Sequence, residues 1–230
     1  MPELEPLIGA LEDAAALQDG RACQDACFRL LYRLTATAQI DGAKRMVGRY
    51  APIFAQHLPE ISWPEDLLAD LSDWVRRFGR RTSDPPAALD PGDANFLHAL
   101  DGLLLAATAR ARREIATMAC AYAVVHAIEA RAGNVWVADD PEAVAAWRAL
   151  MPDIEGEIQM TPEQLANFAA RTVIANAPAQ AARLREWREF AAWLRGPPAP
   201  EMEPITDQAA EDRALEAWSV NERLLPRCEI

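Results

Sequence analysis

Apolar and polar positions alternate along this chain with the period of the α-helix nearly throughout. Leu67, Leu68, Leu71, Trp74, Val75 and Phe78 recur three and four apart, with Asp66, Asp70 and Asp73 outside the stripe. That is the pattern of a helix with one dry face. Phe28, Leu30, Leu31 and Leu34 form a second such stripe. The segment 115–128, IATMACAYAVVHAI, is apolar on all sides. A helix with no wet face has to be surrounded, so this segment is expected at the centre of the fold, with Tyr122 and Val125 among the least exposed residues. Only Asn134-Val135-Trp136-Val137 reads as extended chain.

Start signals agree with the periodicity. Ser62-Trp63-Pro64-Glu65 reads as a capping box with proline at the first helical position, and Thr161-Pro162-Glu163-Gln164 repeats it with glutamine. Asp140 precedes Pro141 and Glu142, Thr206-Asp207 opens the last apolar stretch, and Asp93 opens the long central one. Together they predict helices at about 4–18, 21–40, 42–57, 64–79, 93–131, 140–151, 162–176, 179–195 and 206–225. The expected fold is all-α, an irregular or orthogonal bundle of about 8–9 helices around the apolar helix 115–128.

Two proline-rich stretches interrupt the pattern, within 82–92 (TSDPPAALDPG) and 196–205 (GPPAPEMEPI). Both suit linkers or crossing loops, because proline lacks the amide hydrogen that a helix needs. The first is a candidate boundary between an N-terminal four-helix unit and the rest. The central helix is apolar enough to need helices from both sides, so a single domain over 1–230 is expected.

Composition sharpens this in one respect. Alanine and leucine lead the apolar half of the chain and lose little rotamer freedom in a helix. Among the basic residues only Lys44 is lysine, which with so much alanine points to a GC-rich bacterial genome. Net charge is −12, which repels nucleic-acid phosphates and anionic lipid and suits a basic protein partner. Glu3 and Glu5 stand where a signal peptide would carry Lys or Arg, and the longest charge-free run is too short for a bilayer. Cys23, Cys27, Cys120 and Cys228 make no disulfide framework. A cytoplasmic protein without a membrane span is expected.

Candidate chemistry is sparse. Cys23 and Cys27 share a helix face but lack the second close ligand pair of a structural zinc site. His126 precedes Glu129 by three residues, the reverse of the Glu-x-x-His order of di-iron bundles, and has no second copy. The aspartates at 66, 70 and 73 have no opposed cluster with which to hold magnesium. Arg76, Arg77, Arg80 and Arg81, and again Arg110, Arg112 and Arg113, could grip a phosphate, but such groups also suit helix ends and ion pairs. His57, His98 and His126 lie far apart, and no nucleophile elbow, Walker loop, GxGxxG or HExxH is present. No catalytic residue, cofactor or metal is therefore expected.

One local feature points to function. Between Asp139 and Glu163 seven carboxylates face Arg148 alone, with apolar residues set between them. Acid interleaved with apolar anchors is the composition of a surface that steers and holds a basic partner. The candidate contact residues are Asp139, Asp140, Glu142, Met151, Asp153, Glu155, Glu157 and Ile158. The leading expectation is a non-enzymatic protein-binding protein of bacterial cytoplasm, in its most concrete form an immunity or antitoxin-like protein that covers a basic toxin. The alternatives are a helical adaptor or scaffold in a bacterial assembly, and an enzyme or small-molecule binder with a pocket near Cys120, Tyr122 and His126.

Overall fold

A computed structural model describes residues 4–81, 89–150, 176–204 and 207–221, without the side chains of 146–150 and 219–221. The described residues form an all-α bundle. In chain order the helices are α1 (Glu5–Ala16), α2 (Gly20–Tyr32), α3 (Ala36–Gly48), α4 (Ala51–His57), α5 (Trp63–Ala69) and α6 (Leu71–Arg77). They continue with α7 (Pro91–Thr108), α8 (Arg113–Asp139), α9 (Pro141–Leu150), α10 (Ala177–Arg195) and α11 (Gln208–Asn221). The helix expected at 162–176 lies outside the described residues except for Asn176, which caps α10. Among those described, no helix is long and apolar enough to cross a membrane.

The predicted long helices are broken, some by local caps and some by distant segments. The stretch 21–40 divides at Leu34 and Thr35. Thr35 is extended and its hydroxyl accepts from the Ala38 amide as a cap. The freed backbone pairs with the proline-rich return segment: Leu34 bridges Met202 antiparallel, the Thr35 amide donates to the Glu201 carbonyl, and the Glu203 amide donates to the Arg33 carbonyl. A proline segment cannot continue a helix, and here its Glu201 carbonyl and Glu203 amide are satisfied by the opened α2–α3 junction. The stretch 64–79 breaks at Asp70, whose carboxylate accepts from the Asp73 amide at 2.9 Å and so starts α6. At the head of α5, Ser62 makes no side-chain cap, contrary to the capping-box reading; Pro64 alone marks the start.

The predicted helix 93–131 is an antiparallel hairpin, α7 and α8, turning at Ala109–Arg112. Asp93 does not cap it: Pro91 is its first residue, and Asp93 lies buried in the first turn. At its far end α8 runs on to Asp139 and absorbs Asn134–Val137, so the extended reading there was incorrect. Trp136 is 1% exposed on that helix. Three glycines let the two helices touch backbone to backbone. A Cβ on Gly102 would lie 2.9 Å from the Ala119 carbonyl oxygen, and one on Gly133 2.9 Å from the Gly92 nitrogen.

The segment 115–128 does sit inside the bundle, with α2, α3, α7 and α10 packed on it. Cys120, Ala121, Ala123, Val124 and Ile128 are fully buried. Tyr122 and Val125 are only half-buried, against expectation, and so are Met118 and Glu129. These four lie three and four residues apart, on a side of α8 that the described helices cover less fully. One apolar core extends from Leu4 to Trp218 and includes residues on both sides of the 82–92 stretch; Ala132, Trp136, Ala143, Val144 and Ala179 form a smaller cluster where α8, α9 and α10 meet.

Ion pairs tie the layers where the core ends. Glu186 on α10 is 1% exposed and accepts from Arg49 at the end of α3 (2.7 Å to Nε) and from Arg131 on α8 (3.3 Å). Arg49 and Arg131 stay 29% and 25% exposed and Arg49 also pairs with Glu189, so water and that carboxylate partly replace Glu186 when it is removed. Glu186→Ala is therefore expected to lower unfolding free energy by about 1–2 kcal/mol in a urea titration; an unchanged midpoint would show that the network is dispensable.

Candidate functional site

The acidic stretch is only partly within the described residues: Met151, Asp153, Glu155, Glu157 and Ile158 lie outside them. Its first three acids stand together at the α8–α9 corner. Asp140 caps α9, accepting from the Ala143 amide at 2.9 Å, and the Asp139 carboxylate accepts from the Asn176 side-chain amide at 2.8 Å, just ahead of α10. Glu142 is exposed in the first turn of α9, where a carboxylate is favoured by the amide end of the helix. Asp139 and Asp140 thus both have work in the fold, and Glu142 is turned outward.

The surroundings of Cys120, Tyr122 and His126 separate into two places. Cys120 is buried on the inner side with Cys23 and Cys27. Burial pushes the Cys23 and Cys120 thiols up to about 12 and holds Cys27 well above the ordinary thiol range. These groups are protonated apolar packing at neutral pH, since the thiolate is the reactive species. Cys228 lies outside the described residues. On the outer side, the ring of His126 lies 4.1 Å from that of Tyr122 and 5.3 Å from that of His98, centre to centre. Its Nδ1 is 2.7 Å from Asn95 Oδ1, while the Asn95 amide nitrogen donates to the Pro91 carbonyl. Nδ1 of His126 therefore carries the hydrogen and donates. Burial lowers His126 to about 3 and also lowers His98, so both rings are neutral at pH 7. Among the described residues no three His, Cys, Asp or Glu side chains form a metal-ion site.

Sequence reasoning missed a second polar cluster. Asp93, 3% exposed, accepts from the Tyr50 hydroxyl at 3.0 Å and from His57 Nδ1 at 3.0 Å. Burial and the adjacent carboxylate hold the Tyr50 hydroxyl far above its usual range, so it remains a donor. The carboxylate orients the imidazole, whose side chain is 37% exposed. Carboxylate-oriented imidazole can move a proton, and the same contacts fasten α4 to the start of α7. The three residues are 36 and 43 positions apart in sequence, so no spacing motif announces them.

Part of each arginine cluster is turned onto the protein's own acids, while Arg80, Arg110 and Arg112 are exposed. Arg76 and Arg77 pair with Asp73, Arg81 forks onto Asp101, and Arg113 pairs with Glu203 while lying over the Tyr32 ring. Elsewhere Arg183 forks onto Glu129, and Arg195 onto Glu5 and Glu12. A groove of about 500 Å³ opens between α3, the C-terminal turns of α10 and the proline segment that follows. Its lining includes Asp41, Arg45, Glu189, Trp193, Pro198 and Glu201.

No family model, no curated protein and no solved structure matches this chain.

Proposed function

We propose that this chain is a non-enzymatic protein-binding protein whose acidic surface docks a basic protein partner, as an immunity or antitoxin-like protein docks the toxin that it neutralises. The observation that supports this reading is the fate of the arginines. Several basic side chains that could have gripped a polyanion are engaged in ion pairs with the chain's own carboxylates, within one helix for Arg76 and across elements for Arg33, Arg49, Arg81, Arg113, Arg183 and Arg195, while Arg80, Arg110 and Arg112 are exposed. Acids outnumber bases 35 to 23 over the chain, which leaves a net charge of −12. A net charge of that sign repels phosphate polymers and steers cationic proteins. The 139–163 segment, where acids and apolar residues interleave, is the proposed centre of contact.

The test compares the wild type with the triple substitution Asp153→Lys, Glu155→Lys, Glu157→Lys. The partner captured by the wild type should associate about tenfold more slowly with the reversed chain, and more slowly with the wild type itself as salt rises, because exposed charges are screened within about 8–10 Å at physiological ionic strength. Met151→Ala or Ile158→Ala should act mainly on dissociation. Equal retrieval of the same proteins at equal affinity by both chains would reduce the segment to solvated chain and defeat the reading.

A further inference from the structure

The groove between α3 and α10 has features that the acidic surface as a whole does not. Its floor is an aromatic ring seated directly on backbone. A Cβ at Gly42 would lie 2.6 Å from Trp193 Cζ3, so only glycine lets the indole reach the α3 backbone. The Phe190 ring stacks on the indole at 5.7 Å and holds it from within α10. The wall opposite is Pro197-Pro198-Ala199-Pro200, whose proline rings fix φ. That wall is tied at both ends, by the Gly196 amide donating to the Trp193 carbonyl and by the Glu201 carbonyl accepting from the Thr35 amide. A site with rigid walls and a fixed floor needs little ordering when a ligand enters.

The charges around this floor are unbalanced. Asp41, Glu189 and Glu201 contribute three carboxylates to the lining, and Arg45 one guanidinium. Glu189 shares its charge with Arg49 at 3.3 Å, and Glu201 accepts from the Thr35 hydroxyl at 3.3 Å. Asp41 is exposed and makes no ion pair with any described residue. At about 500 Å³ the groove falls within the range of about 300–1,000 Å³ of sites that enclose a ligand. An indole floor with a carboxylate rim is the complement of a guanidinium, which is weakly hydrated, lies flat on aromatic faces and forks onto carboxylates.

We infer that this groove is where the basic partner inserts an arginine side chain from an extended segment of its chain, the guanidinium lying against Trp193 and bridging Asp41 and Glu201. The inference rests on the reading of the chain as a binder of basic proteins, and locates a specific contact outside the 139–163 segment.

A short synthetic peptide of alternating arginine and glycine serves as the probe, with an alternating glutamine and glycine peptide of equal length as control. The full-length chain, labelled with nitrogen-15, is titrated at low salt, the Trp193 indole signal being assigned by Trp193→Phe. The arginine peptide is expected to shift the Trp193 indole and the Asp41 amide together, and the glutamine peptide neither. Asp41→Asn with Glu201→Gln, both at exposed positions, should weaken arginine-peptide binding about tenfold, and Arg45→Gln should strengthen it. Arginine-peptide binding that shifts signals elsewhere and is indifferent to Asp41 and Glu201 would overturn the groove while leaving the acidic-surface reading intact. Equal binding of the two peptides would overturn the guanidinium assignment. Absence of any binding by the arginine peptide at low salt would overturn the groove and the acidic-surface reading together.

Discussion

Gly92→Ala is expected to destabilise the protein by about 3 kcal/mol, although it adds a single methyl group. The added carbon would lie 2.9 Å from the Ala130 carbonyl oxygen and 3.0 Å from the Asn134 nitrogen, and closer still to the Tyr50 hydroxyl. Two of these three neighbours are α8 backbone and cannot swing away, so α7 and α8 must separate where the core is tightest. The displaced hydroxyl is the donor that Asp93 holds at 3.0 Å. A partly unsatisfied carboxylate, 3% exposed, adds its own cost. Gly9→Ala is the control of opposite sign. A Cβ there meets nothing within 4 Å on α1, so the loss of backbone freedom in the unfolded chain should stabilise by about 0.5–1 kcal/mol. Urea midpoints of the two variants should move in opposite directions. Movement in the same direction would mean that the α7–α8 contact is looser than described.

The contrast between these two glycines shows what the sequence carries and what it does not. Helical periodicity and the aspartate at 140 are local, and the helices at 141–150 and 177–195 fall close to their predicted bounds. The breaks at Leu34–Thr35 and Ala109–Arg112 have no glycine or proline to mark them. The first is set by a return segment arriving from residues 201–203, and the second by the packing of α7 against the apolar α8. Asn134–Val137 contains β-branched and aromatic residues that favour strand locally, but Gly133 and Trp136 have packing to make on α7 and in the smaller core, and tertiary contact overrides propensity. Tyr122 and Val125 were misjudged for a related reason. An apolar composition does not say which side of a helix its neighbours cover less fully.

The candidate sites divide the same way. Cys23 and Cys27 are visibly on one helix face, and their burial with Cys120 follows from the fold. The Tyr50–His57–Asp93 set and the Trp193 groove draw on elements far apart in the chain, and no spacing rule joins them. The acidic segment stood out in the sequence because it is contiguous. The structure adds the tasks of Asp139 and Asp140 at the α8–α9 corner, which the charge pattern could not show.

Acidification should destabilise the protein well above the range where carboxylates titrate, and His126 is the main cause. Its folded value of about 3 lies far below the roughly 6.5 of an unfolded histidine, first because the ring is buried and second because His98 is close by. The folded chain therefore leaves off a proton that the unfolded chain takes up below about pH 6.5, and stability falls as pH falls. The contribution is complete above about pH 6.5 and is lost progressively down to about pH 3. Each fully differential unit is worth about 1.4 kcal/mol, so about 2 kcal/mol should disappear between pH 6.5 and 5. His98, also lowered by burial but with Asp101 opposing, adds in the same direction. Glu12 is held low chiefly by its hydrogen bond from Arg195, and its contribution is lost only below about pH 4.5. The window from 6.5 to 5 thus isolates the histidines. His126→Gln keeps a donor for Asn95 Oδ1 and removes the titrating ring, so its stability at pH 5 and pH 7 should differ by about 2 kcal/mol less than in the wild type. Urea titrations at the two pH values measure this directly. If the variant and the wild type show the same pH slope, His126 is already solvated in the folded chain, and the buried His126–Asn95–Pro91 chain of hydrogen bonds does not hold the α7–α8 hairpin as described.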